Sequence, residues 1–296
     1  MPITRQQALD FFLSDDLIGL GMEAGAVRNK KHPEGVVTYL VDGAAASDSD
    51  ADADISAVDS TGIQLQSAAG HSIEWFEQSV NSIRQRFPQT QLRGFTVPEL
   101  LALAKRSDLS LHETLLRLRD AGLDSISDAS FEIPHHNGHA SSSFERWLRA
   151  HRTAHELGMR TSASITFGAG ESFEQRLDAL DQIRQLQEES GGFIAFTPLS
   201  YAPERELDAP TGVEYLKMLA ISRLYLTNIE NIQASSASQG LKVLQMGLRF
   251  GANDAGAVWN ARSTNRAREE DLRRIIRDAG YRPAQRDPLY RTMFLN

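Results

Sequence analysis

The chain has 296 residues, of which 41% are hydrophobic and 24% are charged, so it can bury one large core or two smaller ones. Its formal net charge of −8 excludes a general nucleic-acid or anionic-membrane surface, because such a surface needs a basic stripe to neutralise phosphate. No apolar run approaches the roughly 20 residues that span a bilayer, and no apolar leader follows the N-terminus. We therefore expect a cytoplasmic protein that binds neither nucleic acid nor membrane.

In the first half of the chain, β-like runs alternate with amphipathic helical stretches. Residues 1–35 predict a helical lead-in, and residues 36–41 predict the first buried strand. The elements predicted next are a strand at 62–66, a helix at 72–87, a strand at 92–96, a helical pair at 98–121, a strand at 125–131 and a helix at 143–157. Gly122 and Gly158 are typical of the residue that closes a helix.

The second half alternates in the same way. It predicts a strand at 161–167, a helix at 172–189, a strand at 193–198, a helix at 213–227, a strand at 229–235 and helices at 241–250 and 269–279. Alternation of this kind is typical of parallel βα units, so we predict a single α/β domain over residues 1–296 with a TIM-type (βα) barrel. Glu214, Lys217 and Arg223 are expected on the solvated face of their helix.

Residues 43–61 are predicted to form an acidic loop, because the run GAAASDSDADAD at 43–54 has no bulky apolar side chain to anchor it. Aspartates occupy positions one, three, five, seven and twelve of a calcium-loop spacing, namely Asp48, Asp50, Asp52, Asp54 and Asp59. Ala53 stands where such a loop needs glycine, and a strand precedes it in place of a helix. A solvated loop is favoured, and a divalent-cation site stays open as the alternative.

Two groups of histidines suggest metal binding more weakly. His151 and His155 lie four residues apart on one helical face, as in zinc sites of the H-E-x-x-H type, but Arg152 replaces the general base. A scaffold helix is the favoured interpretation. The second group, in a polar turn, is His135, His136 and His139. No metal site is predicted from either group.

Several segments across most of the chain resemble one enzyme family. They include HPEGVVTYLVD at 32–42, WLRAHRTAHELG at 147–158, GGFIAF at 191–196, NIQAS at 231–235, QGLKV at 239–243, FGAND at 250–254 and RPAQR at 282–286. They resemble the menaquinone-pathway branch of the radical S-adenosylmethionine (SAM) enzymes, the cyclic dehypoxanthinyl futalosine synthase family, related to aminofutalosine synthase and FO synthase. The resemblance implies a radical SAM-like barrel whose residues 190–296 correspond to the C-terminal region of the cyclases.

The resemblance also shows what this chain lacks. The family holds a [4Fe–4S] cluster, used with SAM, on a C-x3-C-x2-C loop, and this chain contains no cysteine. Ala51, Ile55 and Val58 stand where the thiolates belong, and the strand at 62–66 comes too early for a complete first βα unit. We therefore expect a shortened first unit, a lost cluster and no cofactor that can be named.

The resemblance implies substrate contacts at Gln66, Ser235 and Gln239. Three carboxylates, Glu99, Glu132 and Glu171, lie near predicted strand ends, where a barrel keeps its active site. A pair of carboxylates in such a cleft performs acid–base chemistry if their pKa values differ, but inherited contacts without catalysis are an equal alternative.

Two hypotheses about function remain open. The first is a non-catalytic homologue, with futalosine-pathway menaquinone biosynthesis as its ancestral context, that binds a nucleoside-like small molecule or a pathway enzyme. The second is an enzyme that uses non-radical acid–base or divalent-metal chemistry at the barrel mouth. A mouth with converging carboxylates favours the second hypothesis, and a filled mouth favours the first.

Overall fold

The computed structural model describes residues 2–45, 62–65, 70–127, 131–133, 140–203, 209–259, 269–291 and 293–294. Its helices are α1 Arg5–Leu13, α2 Leu17–Lys31, α3 Ile73–Arg86, α4 Val97–Arg106, α5 Leu111–Asp120, α6 Ala140–Glu156, α7 Phe173–Ser190, α8 Gly212–Tyr225, α9 Ser236–Gly247 and α10 Glu269–Asp278. Its strands are β1 Val36–Ala45, β2 Gly62–Leu65, β3 Gln91–Gly94, β4 Ser125–Ile126, β5 Phe131–Glu132, β6 Thr161–Phe167, β7 Phe193–Ser200, β8 Asn231–Ile232, β9 Asp254–Trp259, β10 Arg282–Arg286 and β11 Met293–Phe294.

Local sequence sets where many of these helices begin. In a capping box, a Ser or Thr hydroxyl accepts from a backbone N–H three residues on, and a Glu or Gln there returns the bond. Helices α1, α4, α5, α7 and α8 all begin in this way, at Thr4, Thr96, Ser110, Ser172 and Thr211. Helix α7 ends at Gly191, whose φ of 60° lies in the left-handed region that glycine tolerates.

The strands form one continuous run of parallel neighbours. Strands β5, β6, β7 and β8 pair in that order. Gln233, directly after β8, bridges to Asp254 at the start of β9, and β9 pairs with β1. From β1 the sheet continues through β2 and β3 to β4. This is the strand order of a TIM-type barrel, which confirms the predicted α/β fold; within the described residues, no ladder joins β4 to β5.

Strand β1 pairs with three other strands. Strand β10 pairs with residues 36–40 of β1, β2 pairs with 42–45, and β9 pairs with 38–42. Because β9 overlaps both of the others along β1 and a strand has only two edges, β10 and β2 share the edge opposite β9. Strand β10 therefore lies on the amino-terminal side of β2 and extends the sheet there.

The acidic-loop prediction is wrong for its first residues. Residues 43–45 belong to β1, because backbone pairing with β2 needs no bulky side chain. The rest of the predicted loop, at 46–61, lies outside the described residues, together with all five aspartates of the calcium-loop spacing. The length of the first βα unit therefore stays a prediction.

Helix α8 is buried along most of its length, since it packs against α1, α2 and α9 as well as β7. Arg223 in this helix is 0% exposed, so its predicted place on a solvated face is wrong. Lys217 is half-buried, and its ammonium donates to the carbonyl of Phe12 at 3.1 Å. None of the helices in the described ranges is long and apolar enough to cross a membrane.

Candidate functional site

The carboxyl ends of the parallel strands form the mouth of the barrel, where such folds place their active sites. Glu171 lies in the loop after β6, and its side chain is fully buried. Its carboxylate accepts from the backbone N–H of Gly168 at 2.6 Å and of Ala169 at 2.9 Å, and from Arg176 Nε at 2.7 Å. These three donors hold the loop in place and use the oxygens that a catalytic carboxylate would offer.

Aromatic rings enclose the Arg176 side of this ion pair. The Arg176 guanidinium carbon lies 4.9 Å from the ring centre of Phe167 and 5.3 Å from that of Phe173. A buried ion pair is stable while each charge keeps its hydrogen-bonding and aromatic partners. Removing one partner leaves the other charge buried and uncompensated. Glu171 therefore anchors the start of α7 to the end of β6.

Glu99 is also engaged in local structure. Its Oε2 accepts from the Thr96 backbone N–H at 2.6 Å and from the Thr96 hydroxyl at 2.9 Å, which completes the capping box of α4. Phe95, just before the cap, has a φ of 63°, which is unusual for a residue with a side chain. The turn from β3 into α4 is therefore tightly constrained, and Glu99 belongs to it.

Glu132 differs from the other two carboxylates because it is exposed. It lies on β5, opposite Thr166 of β6. Within the part of the chain that the structure describes, no group of three or more His, Asp or Glu side chains could hold a metal ion. The structure therefore does not assemble Glu99, Glu132 and Glu171 into a metal site.

The predicted substrate contacts lie around the ends of β7 and β8. The Ser235 backbone N–H donates to the Tyr215 hydroxyl at 2.7 Å. Gln239 Nε2 donates to the Ser200 hydroxyl at 2.9 Å and to the Pro210 carbonyl at 2.8 Å. Gln239 thus ties the end of β7 to the segment that leads into α8. Gln66 lies outside the described residues.

A glycine sets the position of Gln239. Gly240 interrupts α9 with φ 75° and ψ 176°, a region that is open almost only to glycine. The first turn of α9 is therefore separated from the rest of the helix, so that Gln239 reaches back toward Ser200 and Pro210.

A buried polar network that the sequence did not reveal joins β1, β9 and β10. Asp254 is 0% exposed and accepts from the Thr38 hydroxyl at 2.6 Å and from Arg286 Nη2 at 3.1 Å. The Gly256 backbone N–H donates to Asp254 Oδ1, and Arg286 Nη2 also reaches Gln233 Oε1 at 3.3 Å. Asp254 and Arg286 fall inside the FGAND and RPAQR segments, Thr38 inside HPEGVVTYLVD and Gln233 inside NIQAS, but nothing in those segments indicates that their side chains meet.

A second buried cation organises the start of β8. Arg223 donates to the Gly251 carbonyl at 2.7 Å, to the Glu230 carbonyl at 2.9 Å and to Asn253 Oδ1. Burial lowers the pKa of Arg223 to about 9. The strands around Arg223 and Asp254 are therefore held together by charged side chains that have no contact with solvent.

The His151 and His155 pair forms a hydrogen-bonded chain. His151 Nδ1 lies 2.9 Å and His155 Nε2 lies 2.8 Å from the same Thr161 hydroxyl, while His155 Nδ1 lies 2.7 Å from the Ser190 hydroxyl. The Ser190 hydroxyl donates to the Leu186 carbonyl, so it accepts from His155. With both imidazoles neutral, Thr161 donates to His155 Nε2 and accepts from His151 Nδ1, which places the proton on Nδ1 of both rings.

Burial explains why both imidazoles stay neutral. It lowers the pKa of His151 well below its ordinary value, and repulsion from the protonated form of His155 acts in the same direction. The pKa of His155 is lowered to about 4, by burial first and then by Arg160. The turn histidines His135, His136 and His139 lie outside the described residues.

The residues of this chain do not fit the family's [4Fe–4S] cluster. Such clusters are held by cysteine thiolates, and the sequence contains no cysteine. The resemblance places the family's cluster loop at residues 43–59, where the sequence provides only oxygen ligands.

The parallel strands, their flanking helices and the mouth define a radical SAM-like α/β barrel. The solved structure of methylornithine synthase (PylB) shares this fold, with a TM-score of 0.71 at 14% identity over 96% of this chain and 95% of that one. A family model described as the CofH/MqnC C-terminal region matches residues 190–295.

Curated relatives identify the family. Cyclic dehypoxanthine futalosine synthase of Streptomyces coelicolor is 31% identical, over 97% of this chain and 85% of that protein. Aminodeoxyfutalosine synthase of Thermus thermophilus is 34% identical, over 77% of this chain and 68% of that protein. The chain belongs to the cyclic dehypoxanthine futalosine synthase family, as a member without cysteine. The alignment with the Streptomyces enzyme spans 339 positions, more than the 296 residues of this chain, so that relative carries residues that this chain lacks.

Proposed function

We propose that this protein is a futalosine-cyclase homologue that performs no radical SAM chemistry and binds a nucleoside-like small molecule at the barrel mouth. The observation that carries the proposal is the absence of cysteine from all 296 residues, in a chain that has the strand order of the barrel. Reductive cleavage of SAM needs an electron from cluster iron, and no residue here supplies a thiolate to hold that iron.

The state of the mouth supports binding over catalysis. Two of the three carboxylates near the strand ends, Glu99 and Glu171, accept hydrogen bonds that hold their own turns. Ser235 and Gln239 are held in a defined geometry by bonds to Tyr215 and Ser200. A rigid, polar rim of this kind suits recognition of a hydroxylated ligand.

The alternative is an enzyme that uses acid–base chemistry at the same mouth. It would need a pair of carboxylates with different pKa values facing one ligand. Among the three that the sequence suggests, Glu132 is exposed, while Glu171 is buried and fully engaged by donors. This alternative is therefore the weaker one.

The loss of radical chemistry is tested by anaerobic iron–sulfur reconstitution, with the Streptomyces coelicolor cyclase treated in parallel as the positive control. We expect no stoichiometric iron or sulfide on this protein and no release of 5′-deoxyadenosine from SAM under reducing conditions. Stoichiometric cluster, or 5′-deoxyadenosine above a no-protein control, would refute the proposal.

Ligand binding is tested by thermal unfolding with and without dehypoxanthine futalosine. A ligand at 100 times its dissociation constant stabilises the native state by about 2.7 kcal/mol. Gln239→Ala removes two hydrogen bonds and lowers intrinsic stability, so the readout is the increment caused by the ligand. We expect the ligand to raise the Tm of the parent protein and of the exposed control Gln185→Ala, but not the Tm of Gln239→Ala. No increment in the parent protein would argue against a nucleoside-binding mouth.

A further inference from the structure

The opposite end of the barrel, where the parallel strands begin, contains a cavity of about 410 Å3. Gln91 at the start of β3, Asp124 just before β4 and Met159 just before β6 line it. Barrel active sites lie at the carboxyl ends of strands, so this cavity is separate from the mouth. An inference about it does not depend on the function proposed above.

A second volume of about 440 Å3 adjoins the first, because both are lined by Asp124, Gly158 and Arg291. It extends the cavity to Arg160, just before β6, and to Ile194 in β7. Leu289 and Arg291 belong to the segment after β10 and form one wall. We call the combined space the basal cleft.

The basal cleft is positively charged although the chain has a net charge of −8. Its lining includes four guanidinium groups, Arg84, Arg119, Arg160 and Arg291, and a single carboxylate, Asp124. A ligand of opposite charge would therefore be favoured here over the rest of the surface.

Two of these cations already have structural partners. Arg84 donates to the carbonyls of Thr90 at 2.7 Å and Gly122 at 2.7 Å, and it also pairs with Asp124. Arg119 pairs with Asp120 at 2.7 Å. These contacts fix the walls of the basal cleft and neutralise Asp124.

Among the residues that the structure describes, few acceptors engage Arg160 and Arg291. The bond that Arg160 makes with them is long, from Nη1 to the Gly191 carbonyl at 3.4 Å. Arg291 Nε lies 3.8 Å from Asp287 Oδ2, beyond hydrogen-bond distance, and its side chain is 59% exposed. A guanidinium carries five N–H donors in a fork that matches carboxylate or phosphate oxygens.

A buried hydrogen-bond acceptor on the wall of the basal cleft indicates a second group that a ligand would carry. Gln91 Oε1 is inaccessible to solvent, and the described residues offer it no hydrogen-bond donor. A buried polar atom left in this way costs free energy, which a rotation of the Gln91 amide toward a donor on a bound molecule would recover. A hydroxyl group supplies such a donor.

We propose that the basal cleft binds a small hydroxylated phosphate ester. Arg160 and Arg291 hold the phosphate, and Gln91 accepts from a hydroxyl. The volume falls within the range of small-molecule sites, which is roughly 300–1,000 Å3. Phosphate is favoured over an apolar ligand because Arg291 lines the same volume as Gln91 and Arg160 lines the adjoining one.

The test is isothermal titration calorimetry of the full chain with glycerol 3-phosphate, and with inorganic phosphate for comparison. We expect saturable binding of both probes, tighter for glycerol 3-phosphate. The Arg160→Gln/Arg291→Gln double variant should weaken both probes about tenfold or more, since it removes the charge-assisted bonds. Gln91→Leu should remove the preference for glycerol 3-phosphate over inorganic phosphate.

The matched control is Arg274→Gln, an exposed arginine on α10 that pairs with Asp271 and does not line the basal cleft. It should leave both affinities within about twofold, as expected for a surface charge distant from the ligand. Absence of saturable binding, or equal weakening by the control, would overturn the proposal. Equal affinity of the parent protein for the two probes would overturn the role of Gln91.

Discussion

The hydrogen-bonded histidine pair predicts how stability depends on pH. The pKa of His155 is about 4 in the folded protein and 6.5 in the unfolded chain. The unfolded chain therefore binds a proton more readily as the pH falls below 6.5, while the folded protein keeps His155 neutral until about pH 4. The contribution of His155 to the free energy of unfolding is therefore fully present above pH 6.5. It decreases as the pH falls from 6.5 to about 4.

The magnitude follows from the two pKa values. At pH 5 the imidazole of His155 is almost fully protonated in the unfolded chain and almost fully neutral in the folded protein. The contribution of His155 to the free energy of unfolding is therefore lower at pH 5 than at pH 7.5 by about 2 kcal/mol. His151 has a lowered pKa as well, so its contribution has the same sign.

Urea unfolding at pH 7.5 and pH 5.0 measures this loss in the parent protein and in His155→Gln. Glutamine can accept from Thr161 and donate to Ser190 at both pH values, so the variant should lose about 2 kcal/mol less than the parent on acidification. Other titrating groups are common to the two proteins and cancel in the comparison. Gln182→Ala, which changes an exposed side chain on α7 and removes no titrating group, should leave the pH dependence as in the parent. If the parent and His155→Gln lose the same free energy of unfolding on acidification, the conclusion that His155 is neutral in the folded protein is refuted.

Three further substitutions test a buried cation, a buried ion pair and the kink in α9. Arg223→Met should lower the free energy of unfolding by about 3–5 kcal/mol because it leaves buried acceptors without donors, whereas the exposed Arg274→Met should change it by less than about 0.5 kcal/mol. Glu171→Gln weakens a buried ion pair and should cost about 2–3 kcal/mol in urea unfolding, while Glu174→Gln on exposed α7 surface should be near neutral; equal effects would contradict the anchoring role. Gly240→Ala should cost about 1–3 kcal/mol, seen as a lower Tm, because alanine strains the kink in α9; an unchanged Tm would contradict this.

The helices of the barrel were predictable because several signals agree. The prediction of a helix at 172–189 is close to α7 at Phe173–Ser190, and the predicted strand at 161–167 matches β6. Ser172 caps the helix, apolar residues recur on one face, and Gly191 ends it in a left-handed conformation. Where cap, periodicity and terminator coincide, local sequence decides the element.

Strands β9 and β10 were not predictable from their own residues. Their sequences, DAGAVW and RPAQR, are small or polar and lack the alternation of a half-buried strand. They become strands because β1 offers both its edges and because Asp254 and Arg286 neutralise each other. Long-range pairing of this kind leaves no local pattern.

The candidate site shows the same limit. A carboxylate after a strand suits a catalytic role, but the same place in the sequence is the first turn of the next helix, where acids cap backbone N–H groups. The Thr96 to Glu99 spacing is a capping box, so this use of Glu99 was readable from the sequence. The burial of Glu171 was not, because it depends on Arg176 and the aromatic rings around it.

The pairing of β1 has a consequence for biogenesis. One edge of this strand is completed by residues 254–259, and part of its other edge by residues 282–286. A nascent chain emerging from the ribosome therefore carries β1 with open edges until residues 254–286 have been translated. Pairing of β1 with β9 and β10 is a late, long-range event, so chaperones have the most time to act between the synthesis of β1 and that of β10.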